Sequence, residues 1–370
     1  MRSLPRASRA SRALRAAALT ALPAAVATAA VAVAGVLVTA APAAADDHEP
    51  SSFTIEDERI TESSGLAASR AHPGVYWTHN DSKDGPYVYA VDGRTGRTVA
   101  TVTLRGIGSP RDVEGVSIGP DGNIYVGDIG DNEGGTWPKV WIYRFPEPKK
   151  LRDTAVDATQ FTVQYQGGPR NAEALMVHPK TGRVYIASKS QEDPGLYEAP
   201  TALSTSGVNV FKRVADLDME VTDGAFAPDA SRLVLRGYFS VAEYRWGAKG
   251  LGGKLDDEPG MPLQRQGESV TFTPDGGTLM YGTEGGGSRV TAIRLDGDLL
   301  PDAAAKGRQN GDDGKGDGGG GASVADGSDD GGEDADRSRD ILVGAAAVGL
   351  VAMLLLGARG SRGGRGRRRG

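Results

Sequence analysis

Cysteine is absent from the 370 residues, which excludes disulfides, zinc–thiolate centres, a thiol nucleophile and a lipid-modified cysteine anchor. Histidine is nearly as scarce. His48, His72, His79 and His178 are the only four, and His72 and His178 each precede a proline at a predicted turn. His79 alone stands at a predicted strand end from which an imidazole could reach a central channel. No H-E-x-x-H, no phosphate-binding loop, no G-x-G-x-x-G following a strand and no serine nucleophile elbow is present, so the common metalloprotease, nucleotide-binding and serine-hydrolase chemistries lack their signatures.

Charge is also nearly missing from two stretches, one close to each end. Residues 1–45 carry Arg2, Arg6, Arg9, Arg12 and Arg15, then an Ala/Val/Leu run that closes on Ala43-Ala44-Ala45. This is the pattern of a secretory signal peptide over 1–45, with an uncleaved signal anchor as the alternative. Ile341 to Leu356 carries no charge and is followed by Arg359, Arg362, Arg365, Arg367, Arg368 and Arg369. The run predicts a transmembrane helix over 340–358, and the arginines predict a cytoplasmic tail over 359–370. The expectation is a single-pass protein of the cell membrane, held there by its C-terminal helix, with the N-terminal domain extracellular. Residues 301–339 are rich in Gly and Asp and predict a disordered linker. The segment Pro301 to Asp340 accounts by itself for the net charge of −6, leaving the rest near neutral and without the basic excess that nucleic acid would require.

Between residues 51 and 300 one pattern recurs. It begins at Ser64, Glu114, Glu173, Asp223 and Glu268, each followed by a small residue, a short alternating strand, a turn of the Pro-Asp-Gly type and a second strand. Alternation fits a half-buried strand, and the turn residues supply the fixed and positive φ values of a tight hairpin. Third strands are predicted at Tyr87–Val91, Val140–Arg144, Gly195–Glu198 and Val290–Arg294, and fourth strands at Val99–Leu104 and Gln160–Tyr165. The marker recurs after 50, 59, 50 and 45 residues, close to the length of one four-stranded propeller blade. The predicted fold is therefore all-β, a β-propeller of four-stranded antiparallel sheets. Five blades are favoured, with a sixth within Val241–Gln266 as the alternative. The strand-like segment Phe53–Ile60 is expected to pair with the last repeat and close the ring.

In a propeller the first strand of each blade lines the channel, so Ser64, Glu114, Glu173, Asp223 and Glu268 should meet at one mouth. Converging carboxylates either bind a hard cation such as Ca²⁺ or cap loop amides. A second set closes the second strands: His79, Asn80 and Asp81; Asp128, Asp131 and Asn132; Lys189; Arg236; Glu284. Lys189 and Arg236 would either grip an anionic ligand or pair with the ring acids. Asn80 to Gly85 and Asp128 to Asn132 are oxygen-rich loops, readable as calcium turns or as ordinary Asx turns.

The segments ESSGLAASRAHPGVYWTHNDS and RDVEGVSIGPDGNIYVGDIGDN resemble a family of secreted actinobacterial propellers. More distantly, the chain is similar to phytase-like esterase, NHL and gluconolactonase-like propellers. That resemblance implies calcium at acids around the channel, which nominates Glu114, Glu173, Asp223 and Glu268 as metal ligands. Lys189, Arg236, Asn80 and Asp128 are the candidate ligand-binding residues. The functional expectation is a ligand- or protein-binding scaffold domain, Ca²⁺-loaded, whose partner is a small anionic ligand or a protein at the propeller face. The alternative is a Ca²⁺-dependent hydrolase of phosphoesterase or lactonase type with its site at the channel mouth, although no complete catalytic set is recognisable.

Overall fold

The computed structural model describes residues 50–82 and 84–312. The predicted signal peptide, the membrane helix 340–358, the basic tail and most of the linker lie outside the described residues. Among those described, no helix is long and apolar enough to cross a membrane.

Strands dominate, as the alternating patterns require. β1 (Phe53–Thr54) comes first and belongs to the last sheet. The first antiparallel run is β2 (Ala67–Ala68), β3 (Val75–Thr78), β4 (Tyr87–Asp92) and β5 (Thr98–Arg105). β6 (Val113–Ile118), β7 (Asn123–Asp128) and β8 (Val140–Pro146) begin the second, which β10 (Thr159–Tyr165) completes after β9 (Thr154–Asp157). The third is β11 (Ala172–Val177), β12 (Val184–Ser188), β13 (Gly195–Glu198) and β14 (Val208–Asp216), and the fourth is β15 (Asp223–Phe226), β16 (Arg232–Arg236), β17 (Val241–Gly247) and β18 (Gly250–Lys254). The last is β19 (Gly267–Phe272), β20 (Thr278–Thr283) and β21 (Arg289–Arg294), with β1 as its outermost strand. The predicted third and fourth strands fall on β4, β8, β13 and β21, and on β5 and β10. The fold is all-β and propeller-like.

Phe53 pairs with Val290 and Thr54 with Arg289, so the first described strand is hydrogen-bonded to the last. The stretch from Val241 onward, weighed above as a further sheet, supplies β17 and β18 to the sheet of β15 and β16. Two features have no counterpart in the sequence pattern. β9 adds to β5 in parallel, and β10 pairs with β14 in parallel, fusing the second and third runs into one eight-stranded sheet. Both pairings cover outer edges that would otherwise expose unpaired backbone groups.

The inner strands β2, β6, β11, β15 and β19 touch in succession, and β19 touches β2. The apolar cores lie between neighbouring sheets. Trp77, Val102 and Phe145 fill the first interval, Ile186 and Phe211 the second, and Leu233 with Leu196 the third. Val270 and Leu279 pack against Val234 in the fourth, and Phe53, Tyr76 and Met280 form a fifth cluster between the last sheet and the first.

Residues 302–312, read from composition as the start of a disordered linker, form a helix, α1 (Asp302–Asp312). Its Ala-rich start favours a helix, and it is tied down. Asp302 pairs with Arg232 at 3.0 Å, the Ala303 amide donates to Asp229 at 2.7 Å, and Arg308 donates to the Leu295 carbonyl at 2.8 Å.

Candidate functional site

The start of each inner strand pairs with the end of the next: Val113 with Asp128, Ala172 with Ser188, Asp223 with Arg236, and Gly267 with Thr283. This register places the repeat-marker residues and the strand-end residues at one end of each hairpin. Between Val113 and Gly115, between Ala172 and Ala174, and between Gly267 and Ser269 the register slips by one. Glu114, Glu173 and Glu268 are therefore the residues at three equivalent β-bulges, a device that re-aims a side chain out of its ladder.

The acids then separate into different environments. Glu114 accepts a hydrogen bond from Ser64 Oγ at 2.9 Å, so two marker residues meet directly. Beside it stand Asp81 and Asp112, and carboxylate oxygens of Asp81, Asp112 and Glu114 lie within 4.8 Å of one another. Backbone pairing explains the convergence. The Val113 amide donates to the Asp81 carbonyl at 2.8 Å, inserting Asp81 between the two acids that flank Val113. Gly130 closes the cluster from the other side. A Cβ there would fall 2.4 Å from Asp112 Oδ2 and 2.7 Å from Glu114 Oε1, so only glycine leaves the space open. Among the described residues none of the three carboxylates is in an ion pair. Burial, with the Asp112 hydrogen bond and charge next, pushes Asp81 up to about 8. Burial, followed by the charges of Glu173, Asp81 and Asp112, holds Glu114 well above the carboxylate range, with Ser64 opposing.

Glu173 is placed otherwise. It is ion-paired and hydrogen-bonded to Lys189, which also donates to the Tyr238 hydroxyl at 2.6 Å. Burial raises Glu173 to about 8, and Lys189 opposes the rise. Burial likewise raises Glu268, against Lys189 and a hydrogen bond from Tyr238. Asp223 accepts the Val270 amide of the neighbouring inner strand at 2.8 Å and serves as a cap between sheets. The four predicted metal acids thus form no single site: the structure puts Glu114 with Asp81 and Asp112, and Glu173 with Lys189.

Of the predicted ligand-binding residues, Lys189 alone keeps a partly open position near the mouth. Arg236 is fully buried and turns into the next sheet. It donates to the Ser269 and Gly282 carbonyls at 2.7 and 2.8 Å and to Gln264 Oε1 at 2.9 Å, and burial depresses it to about 10. Asn80 accepts the Thr61 and Glu62 amides at 2.9 Å each and donates to the Arg59 carbonyl at 2.8 Å and to Asp84 at 2.7 Å, which uses its hydrogen-bonding capacity. Asp128 accepts the Arg111 and Asp112 amides at 3.2 and 3.1 Å and the Tyr143 hydroxyl at 2.6 Å. Asn80 and Asp128 build the loops that carry the acids.

His79 is buried, its Nδ1 lies 3.2 Å from the Asn80 carbonyl, and burial depresses it to about 4, so it is neutral. The serine-hydrolase signature stated above to be missing is in fact spelled by Gly115 to Gly119 as G-x-S-x-G, but the segment lies on β6 and its turn with no helix following, and Ser117 Oγ accepts the Val177 amide at 3.0 Å. It is no nucleophile elbow. Asp112 was not singled out by the sequence. Its place two residues before a marker acid was the available signal, and the bulge that swings Glu114 toward it is invisible there.

No family model matches the chain, and no curated protein does. Among solved structures, "Crystal Structure of Mitotic Checkpoint Complex" is similar at 16% identity with a TM-score of 0.35, covering 63% of this chain and 61% of that one. Kuenenia stuttgartiensis Hydrazine Synthase is similar at 12% identity with a TM-score of 0.34, covering 60% of this chain and 61% of that one. The chain thus spans less than two thirds of either, and both likenesses are remote.

Proposed function

We propose that this chain is a membrane-anchored, extracytoplasmic five-bladed β-propeller that binds a protein or a small anionic ligand at its mouth and carries one Ca²⁺ at Asp81, Asp112 and Glu114. The cyclic succession of five inner strands and five inter-sheet cores supports the blade count. The metal reading rests on one observation: three carboxylates from separate segments converge within 4.8 Å with no cationic side chain paired to them. Oxygen-only donors suit a hard cation, and like charges held this close repel unless one intervenes or protons are shared. The ion would join Asp81, from the end of the first sheet's hairpin, to Asp112 and Glu114 at the entry of the second.

Isothermal titration of the detergent-solubilised full chain with CaCl₂ tests this. One site per chain, lost in Asp112→Asn and kept in Glu268→Gln, is the expected result; no site, or loss in neither variant, refutes it. The second reading, a Ca²⁺-dependent hydrolase, draws support from Lys189 and Tyr238 at the same mouth. It lacks its second anion grip, because Arg236 is committed to backbone carbonyls. Metal-dependent turnover on a phosphoester and lactone panel, abolished by Glu114→Ala, would establish it over the binding reading.

A further inference from the structure

Two apolar side chains stand in solvent at the mouth, where the fold gives no reason to expose them. Among the described residues Phe239 is 86% exposed and Leu263 103%, whereas no other exposed large hydrophobic residue exceeds 48%. Both stand on loops at the mouth end of the hairpins: Phe239 follows the end of β16, and Leu263 lies shortly before the start of β19. Both loops are held. The Gly237 amide donates to the Ser240 carbonyl at 2.8 Å, and a Cβ on Gly237 would fall 2.4 Å from the Glu220 carbonyl oxygen, so the turn that carries Phe239 is pressed against its neighbour. Gln264, next to Leu263, accepts from Arg236 at 2.9 Å and donates to the Arg289 carbonyl at 3.1 Å. Arg236 ends β16, so that hydrogen bond joins the roots of the two loops. Neither residue belongs to an apolar core, and apolar side chains presented on fixed loops mark an interaction surface.

The charge of the same mouth selects the partner. Glu284 bears electrostatically on Glu268 and on Asp81, and neither Glu268 nor Glu284 is in an ion pair among the described residues. The cations whose charge reaches Glu268 are committed elsewhere, Lys189 to Glu173 and Tyr238, and Arg236 to backbone carbonyls. Glu173 is itself 2% exposed, keeps Oε2 without a hydrogen-bond partner, and feels both Glu268 and Asp81. Acids gathered in this way project a negative potential beyond their own contacts and favour an arriving cation. Tyr238 connects the two features: it is hydrogen-bonded to Glu268, and its ring centroid lies 6.3 Å from that of Phe239.

From these features we infer that the mouth docks a partner protein through an arginine flanked by apolar residues, the guanidinium lying against Phe239 and Glu284 and the apolar neighbour against Leu263. This rests on the reading that the mouth binds a protein, and it names the chemistry of that protein. A planar guanidinium both stacks on an aromatic face and forks onto a carboxylate, which a lysine ammonium does less well. The same acids repel an anionic bilayer, so a lipid surface is the poorer occupant of the apolar pair.

The test is selection of a random peptide display library on the detergent-solubilised full chain in buffer containing CaCl₂, followed by affinity measurement of the enriched peptides. The expected result is enrichment of sequences with an arginine beside an apolar residue, their affinity weakened about tenfold or more by Phe239→Ser. Glu284→Gln should weaken it less, and Val214→Ser, at an exposed apolar residue of β14, should leave it unchanged. Near-UV circular dichroism verifies that the variants keep their fold. Arginine peptides that bind Phe239→Ser as tightly as the native chain overturn the inference. Enrichment of acidic peptides overturns it too, while leaving a binding function at the mouth; no enrichment of any peptide removes both, and the CaCl₂ titration reports on the cation site separately. Self-association of the chain that is lost in Phe239→Ser, with no peptide enriched, also overturns it, by making the patch a contact between copies.

Discussion

Glu114 and Glu173 occupy the same position in consecutive repeats, sit on equivalent bulges and are almost equally buried, yet they live in opposite electrostatic company. Around Glu173 the end of the second strand supplies Lys189, and the pair is closed by Tyr238. Around Glu114 the residue in the register of Lys189 is the buried, apolar Ile129, since Asp128 pairs with Val113 as Ser188 pairs with Ala172; the neighbours are Ser64, Asp81 and Asp112, with the charge of Glu173 acting on it as well. A repeat position therefore fixes where an acid sits, and one residue on the adjacent strand decides whether it is neutralised or left to gather negative charge.

The comparison can be broken most forcefully on the neutralised side. Lys189→Ala leaves Glu173 buried without its cation, and a loss of about 3–5 kcal/mol is expected from removing one partner of a buried pair; urea denaturation measures it. Lys189→Ala with Glu173→Gln should recover much of that loss, because the uncompensated charge is gone.

The acidic side responds to pH instead. Burial and Asp112 lift Asp81 from 3.8 to about 8. Below the lower value folded and unfolded chains are both protonated and the group is neutral to stability. Between the two values the folded chain holds the extra proton, so ion-free stability falls as pH rises and levels off above about 8. Ca²⁺ competes for the deprotonated form, so its stabilising effect should grow over the same window. Melting temperatures with chelator and with Ca²⁺ across this range should diverge with rising pH; parallel curves contradict the reading.

A smaller effect is expected at Gly130. Gly130→Ala places a carbon on Asp112 Oδ2, and the overpacking should cost about 1–3 kcal/mol and abolish the response to Ca²⁺. The smallest effect lies in a turn. Gly122 and Gly276 adopt positive φ in their hairpins, and Ala230 takes the matching place at φ 60 in the fourth repeat. Ala230→Gly should stabilise the fold by about 1 kcal/mol by relieving the left-handed conformation, read as a small rise in melting temperature.

Much of this architecture was legible in the sequence because it rests on short-range rules. Alternation and turn residues located the hairpins, and the lone strand-like segment at Phe53 signalled its pairing with the last repeat. The parallel β5–β9 and β10–β14 pairings were not legible, since edge pairing depends on how sheets meet. Neither was α1, because the linker's Gly/Asp bias hid a short Ala-rich start. At the site, spacing found Glu114 and Glu173 but treated them alike. Bulges and hydrogen bonds across sheets, which bring Asp112 and Asp81 to Glu114 and turn Arg236 away, leave no periodic trace. Arg236 illustrates the limit: the sequence ends a strand on a cation that would face the mouth, and the carbonyls of Ser269 and Gly282 draw it into the wall instead.

The central claim, a cation held by Asp81, Asp112 and Glu114, is tested most directly by thermal melts of the full chain in Ca²⁺ and in chelator, for the native sequence and for Asp112→Asn. At a concentration about a hundredfold above the dissociation constant, binding to the folded state alone contributes about 2.7 kcal/mol. The account predicts a rise of several degrees with Ca²⁺ in the native chain and none in Asp112→Asn. Identical melts in Ca²⁺ and chelator, or an equal rise in both proteins, would contradict it.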